Sequence, residues 1–395
     1  MKKLFFAFIF LIPLIIHAQT IKTDVLVLGN SNAAFAAGVQ AAESGVNTII
    51  LTQSDGFKLS DFKSLPQSGV TRAFEKRARK SLKLRDSVPL PEMTNQIVNA
   101  VIKNWSDSSK LLDVINNTNY YEIKRSGNGW EAKITKEKSI KAKVLIVTDK
   151  IERVLPAFKT GSLKPAETNT VNYTENFYRT TIAGINGTSN YLSLYNLLIP
   201  NQDNILYIKA DNLEIGQAAG ATAAYAAFFK TKTSLSNLKR IQGELLSYKL
   251  SLMPFEDVRT ADSNWQAIQK VGITGILKAD IKNGKVFFSP EKEVTYDEIK
   301  QPIKDYYYKA QIWFDDHQNI PINLENTISM ACYVGNKAVN ATKTEIEKKW
   351  KKNYMFPSKY DLKKVLTRRE FSVIINDYLK PFDDVNVERT GQVIR

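Results

Sequence analysis

Residues 25–53 read VLVLGNSNAAFAAGVQAAESGVNTIILTQ. The stretch from Thr23 to Leu28 is dominated by β-branched and aliphatic side chains, as expected of a strand buried in a parallel sheet. Ala33 to Ser44 is alanine-rich and helical, and Gly45 stands where a C′ glycine ends a helix. Val46 to Leu51 supplies a second apolar strand. Together these pieces form a βαβ unit and place the chain in the α/β class.

The turn between strand and helix decides what such a unit can hold. A diphosphate-binding turn uses one glycine for the tight turn, a second for close backbone approach, and a third for helix packing. Gly29 fills the first place, Ser31 the second and Ala34 the third. Serine at the second place puts a Cβ where a diphosphate would lie. The acidic residue expected at the end of the second strand, where a ribose would bond, is replaced by Thr52 and Gln53.

Outward from this unit, residues 54–90 lose periodicity and become basic, which predicts a loop with a short helix. Pro91 to Val114 carries apolar residues at helical spacing. Asn117 to Val147 reads as several strands, with the turn signal SGNG between the first two. An irregular stretch from Arg153 to Thr188 precedes NYLSLYNLLIP (190–200), an apolar strand at Asn204 to Ile208, and the alanine-rich helix EIGQAAGATAAYAAFFK. From Ser234 onward helical patterns with charged faces dominate. The expected organisation is a leader over 1–18, an α/β domain over 19–235 and a helical domain over 236–395.

The segment GQAAGATAAYAAFF (216–229) resembles the flavin-proximal C-terminal helix of FAD-dependent oxidoreductases of the two-dinucleotide-fold type. NYLSLYNLLIP followed by DNILYI (203–208) resembles that family's IPYRSLIP and NLLVAGR blocks, in the same order. The branch it resembles is the exported, envelope-associated bacterial one, whose members are sometimes labelled xanthan or polysaccharide lyases. The resemblance implies an FAD/NAD(P)-binding Rossmann-like domain with an inserted β-rich part. It also implies FAD as cofactor, with Gly29, Ser31, Asn32 and Ala34 facing the pyrophosphate, Gln53 meeting the ribose, and Gly216, Gln217 and Gly220 beside the flavin. Departures cluster at the same contacts: Asn196 replaces the arginine of the first block, Lys209 and Ala210 replace the glycine-arginine pair, and Asp149 and Lys150 occupy a turn that the family keeps small. Their joint loss points to a relaxed or vacant flavin site.

Residues 255–298 resemble a surface-layer homology module through Phe255, Asp257 and Val258, Trp265, Ala267 and Ile268, Gly272 and Gly275, Phe288 and Pro290, and Thr295 with Glu298. A second, less complete copy runs from Trp313 to Phe382 and keeps the TRxE form in Thr367, Arg368 and Glu370. In that family such modules bind cell-wall polymers. Here they are expected to pack on the main domain.

Composition limits the chemistry. MKKLFFAFIFLIPLIIHAQT reads as a secretory signal peptide cleaved near Ala18, which predicts export to the periplasm or cell envelope. No later stretch is long and apolar enough to cross a bilayer. The net charge is +15, of which Lys2 and Lys3 contribute two, and the excess is spread along the chain. An anionic envelope polymer is therefore a better expected partner than nucleic acid, beside a small-molecule or glycan-derived substrate. One cysteine, Cys332, excludes an intramolecular disulfide, and its expected place is the core. His317 is the one histidine after the leader, so cysteine-histidine zinc sites are excluded and Asp315, Asp316 and His317 read as a solvated turn. No catalytic residue emerges, so any redox chemistry would belong to a flavin. The two expectations are an envelope FAD-dependent oxidoreductase and a non-catalytic protein that uses the same scaffold to bind glycan or a partner.

Overall fold

The computed structural model describes residues 19–59, 69–158 and 162–395, so the expected leader lies outside the described residues. Gln19–Leu28 (β1) leads into Asn32–Glu43 (α1) and Thr48–Leu51 (β2). Gly69–Ser81 (α2), Asn95–Ser108 (α3) and Leu112–Ile115 (β3) follow, then Glu122–Ser126 (β4), Gly129–Lys133 (β5) and Lys138–Val147 (β6). After Ile151–Val154 (α4), a small antiparallel sheet is built from Asn169–Thr170 (β7), Thr181–Gly184 (β8) and Asn190–Ser193 (β9). Leu194–Leu197 (α5), Leu198–Ile199 (β10), Gln202–Tyr207 (β11) and Leu213–Phe228 (α6) complete the α/β part.

The main sheet runs β10-β11-β6-β1-β2-β3. β11, β6, β1, β2 and β3 pair in parallel, and the β4–β5 hairpin adds antiparallel strands to the first half of β6. A βαβ start, a hairpin insertion and a return strand beside β1 make this an FAD/NAD(P)-binding Rossmann-like α/β fold. Val25↔Thr48 and Val25↔Val144 set the central register, which puts the carboxyl ends of β1, β2 and β6 at one edge.

One expectation is met and one corrected. The basic stretch before residue 90, expected as a loop with a short helix, carries the 13-residue helix α2, whose Val70, Phe74 and Ala78 are buried at four-residue spacing. Arginine and lysine on its other face hid that narrow stripe in the sequence. Leu112–Ile115, expected as the end of a helix, is β3, because pairing with β2 outweighs local helical spacing. Phe35 of α1 meets Phe57, Phe74 and Trp105 edge-on at 5.6–6.0 Å, which locks α1 to α2 and α3. Each such pair contributes about 0.5–1.5 kcal/mol beyond burial.

The remaining chain is mainly helical: Leu238–Ser247 (α7), Trp265–Thr274 (α8), a hairpin of Asp280–Lys282 (β12) and Lys285–Phe287 (β13), then Tyr296–Tyr306 (α9), Tyr308–Asp316 (α10), Leu324–Gly335 (α11), Val339–Lys352 (α12) and Arg368–Tyr378 (α13). One hydrophobic core runs from α1 through α6 and α7 into this region. The seam is close: Gly184 of β8 lies on the backbone of Met253 and Pro254, and a Cβ there would stand 2.6 Å from Pro254 N. Across the same seam, buried Arg179 donates from Nε to the Thr274 carbonyl at 2.8 Å.

Candidate functional site

In an open parallel sheet the binding crevice lies outside the carboxyl ends of the strands, where neighbouring connections leave in opposite directions. Here that place is between β1 and β6, at Gly29 to Ala34 and Thr148 to Asp149. Gly29 has φ +134°, and a Cβ on it would stand 2.1 Å from Thr148 Oγ1, so only glycine fits the turn. Ser31 is the N-cap of α1. Its Oγ accepts from Ala34 N at 3.2 Å, and its carbonyl accepts from Phe35 N.

The next amide of α1 is held by a residue not anticipated in the sequence. Asp211, in the loop between β11 and α6, accepts from Ala33 N at 3.3 Å through Oδ1. A carboxylate therefore sits at the positive end of the helix where a diphosphate would bind. Asn30 donates to Ser54 Oγ and to the Gly56 carbonyl, both at 3.2 Å, and Thr52 Oγ1 accepts from Ser54 N at 3.0 Å. The end of β2 is thus tied to its own loop, with half-buried Gln53 beside it.

A second carboxylate lies across the turn. Asp149 accepts from the Tyr120 hydroxyl at 2.9 Å through Oδ2. Burial pushes its carboxyl above the usual carboxylate range, and burial together with the Asp149 charge pushes the Tyr120 phenol up. The residues present do not fit a dinucleotide diphosphate as they stand. Ala33 and Ala34 amides already have acceptors, and a phosphate about 4 Å from the Asp211 carboxylate would be repelled by about 1–4 kcal/mol, depending on exposure.

Gly216, Gln217 and Gly220 have places that packing explains. α6 lies directly on α1: a Cβ on Gly216 would stand 2.4 Å from the Ala33 carbonyl oxygen, and one on Gly220 would stand 2.3 Å from that of Ala37. Gln217 is buried, donates to Gln40 Oε1 at 2.7 Å and accepts from Val70 N at 3.1 Å, so it links α6 to α1 and α2. Asn32, the first residue of α1, is also buried. The crevice therefore brings together Gly29, Ser31, Asn32 and Ala34, while the amide of Gln217 is spent on the neighbouring helices. Asp211 escaped the sequence reading because its connection was judged by what it lacked. The signal available was an acidic residue one position before Asn212, the N-cap of α6.

Elsewhere, His317 stacks on Trp313 at 4.5 Å, with Nδ1 2.8 Å from the Trp313 carbonyl oxygen. No group of three potential metal ligands occurs among the described residues. Cys332 is buried. Of the three consecutive tyrosines, Tyr306 is buried, Tyr307 donates to the Leu379 carbonyl at 2.7 Å and Tyr308 is exposed. Thr295 caps α9, and Thr367 forms a capping box with Glu370 on α13. Arg368 is buried in an ion pair with Glu298, the final residue of the first module-like segment, and its Nη2 donates to the Lys278 carbonyl.

No protein-family model matches the chain, and no curated protein matches it. Among solved structures it is similar to bacillithiol disulfide reductase from Staphylococcus aureus, at 16% identity and a TM-score of 0.22, over 33% of this chain and 39% of that one. It is similar to thioredoxin reductase from T. acidophilum at 16% identity and 0.21, over 42% and 40%. A variant flavin monooxygenase from Stenotrophomonas maltophilia gives 14% and 0.21, over 32% and 38%. The chain thus covers about two fifths of the length of each. The fold assignment itself rests on the strand order and register of the sheet.

Proposed function

We propose that this chain is a diverged flavoprotein-fold protein of the bacterial envelope that acts by binding a ligand rather than by redox chemistry. The observation that carries the reading is the Asp211 carboxylate on the Ala33 amide, which gives the helix end of the dinucleotide crevice an internal anion. Ser31 on the Ala34 amide completes the same substitution. The basic composition and the leader-like N-terminus support an envelope setting with anionic surroundings.

The test is the visible absorption spectrum of the purified protein before and after addition of FAD and desalting, with a titration of the Ser31→Gly/Asp211→Asn variant. Wild type is expected to come through colourless. The double variant is expected to bind FAD at least about tenfold more tightly, from relief of repulsion worth about 1.4 kcal/mol or more. Flavin bands retained by wild type would overturn the reading and restore an FAD-dependent oxidoreductase. An unchanged affinity in the double variant would remove Asp211 and Ser31 as the cause.

A further inference from the structure

The other end of the same sheet holds a cleft of about 1000 Å³. Its floor is the first half of β1 and β6. Its walls are the β4–β5 turn, the β10–β11 turn and the residues that follow α6. Six cationic side chains line it, Lys22, Arg125, Lys141, Lys143, Lys230 and Lys232, against the carboxylates of Asp24 and Asp203. Both carboxylates are already used. Asp24 pairs with Lys143 at 2.6 Å and accepts from Asn47 N, while Asp203 pairs with Lys232 at 3.1 Å and accepts from the Ser234 hydroxyl.

Four cations remain without an ion pair among the described residues: Lys22, Arg125, Lys141 and Lys230. Lys230 follows the C-terminal end of α6, where the helix dipole accounts for a cation. Lys22 and Lys141 have no such account, whereas Arg125 has the Trp130 ring and the Asp203 charge near it. Lys22 and Lys141 are direct partners on adjacent parallel strands, an arrangement of like charges that costs stability. Glu131, the neighbour of Lys141 on β5, pairs instead with Lys124. Arg125 lies 4.0 Å over the ring of Trp130, and partial desolvation holds its pKa below the usual guanidinium range.

The walls are fixed before any ligand arrives. Asn204 of β11 donates from Nδ2 to the Asn128 carbonyl in the β4–β5 turn at 2.8 Å and exchanges two hydrogen bonds with Thr233. Such pre-ordering lowers the entropic cost of binding. The lining offers asparagine and threonine groups suited to hydroxyls and contains no aromatic residue on which a base could stack. Its volume is at the top of the range for small-molecule pockets, larger than a single inorganic anion needs.

We propose that this cleft binds an anionic saccharide, with one carboxylate or phosphate group at the Lys22–Lys141 pair, another at Arg125 and sugar hydroxyls on the surrounding amides. The inference names a ligand class for the binding function proposed above, and its test does not involve flavin, so the two can fail separately.

The experiment is calorimetric titration of the full chain with oligogalacturonate and, separately, with glucose 1,6-bisphosphate. A single-stranded oligodeoxynucleotide serves as a competing polyanion. At least one of the two saccharides is expected to bind, more weakly as salt rises, and which of them does identifies the charged group. Lys22→Gln/Lys141→Gln is expected to weaken that binding by at least about tenfold while its Tm holds or rises. Arg125→Gln is the second variant and is expected to weaken binding in the same direction. Binding of neither saccharide at millimolar concentration, equal binding by the variants, or tighter binding of the oligonucleotide would overturn the proposal.

Discussion

The two ends of the central sheet solve the same electrostatic problem in opposite ways. At the carboxyl end, the helix amides that attract anions are met by the protein's own Asp211 and Ser31. At the amino end, two carboxylates face six cations and leave Lys22 and Lys141 side by side. One end is internally neutralised, and the other is left wanting a counter-charge. If the two proposals hold, a fold of this kind can trade one binding edge for another without changing its strand order.

Both ends depend on α6, which begins beside Asp211 and finishes at the basic cleft. The largest effect is therefore expected from Gly220→Val, whose side chain would drive into the Ala37 carbonyl. A loss of about 3 kcal/mol or more in urea unfolding is expected, with both ends disturbed together. Gly243 within α7 has open space where its Cβ would be, so Gly243→Ala should instead add about 0.5–1 kcal/mol. Equal outcomes for the two glycines would break the claim that the α1–α6 contact is what joins the two ends.

A smaller effect sharpens the contrast at the crevice. Burial raises the Asp149 carboxyl above its unfolded value, so its protonated form is favoured in the folded state. That contribution is present below the ordinary carboxylate pKa and is lost as pH rises through the raised value. Asp149→Asn, which keeps an acceptor for Tyr120, should match wild type in acid and exceed it at neutral pH by about 2 °C in Tm. A constant difference across pH would show that Asp149 charge plays no part. The smallest effect is expected from relieving the cross-strand lysine pair. Lys22→Gln/Lys141→Gln should gain about 0.5 kcal/mol at low salt, a gain that added salt abolishes.

The α/β start was legible because strands and helix there are buried on nearly all sides, so Val25–Leu28 and Ile49–Leu51 are continuously apolar. The hairpin at residues 126–129 announced itself through its turn residues. α2 was legible only as an unplaced short helix in a basic loop, since its apolar positions are few and long basic side chains surround them. The site was half legible. Ser31 marked the departure at the turn, but its role as helix cap is a matter of rotamer and backbone geometry that composition does not encode. Asp211 acts on a helix 178 residues away in sequence, and no local pattern can report that contact. The basic cleft was visible only as dispersed charge, because it is assembled from β1, β4, β6 and the end of α6.

The carboxylate on the first turn of α1 also bears on how the chain matures. Many cofactor-binding proteins remain incompletely ordered until their ligand arrives, because an open helix end and its facing loop have no partner in the apoprotein. Here the facing loop brings its own partner, so the last step of assembly is intramolecular and independent of ligand supply. Refolding from urea should therefore reach the same yield and rate with or without FAD in the buffer.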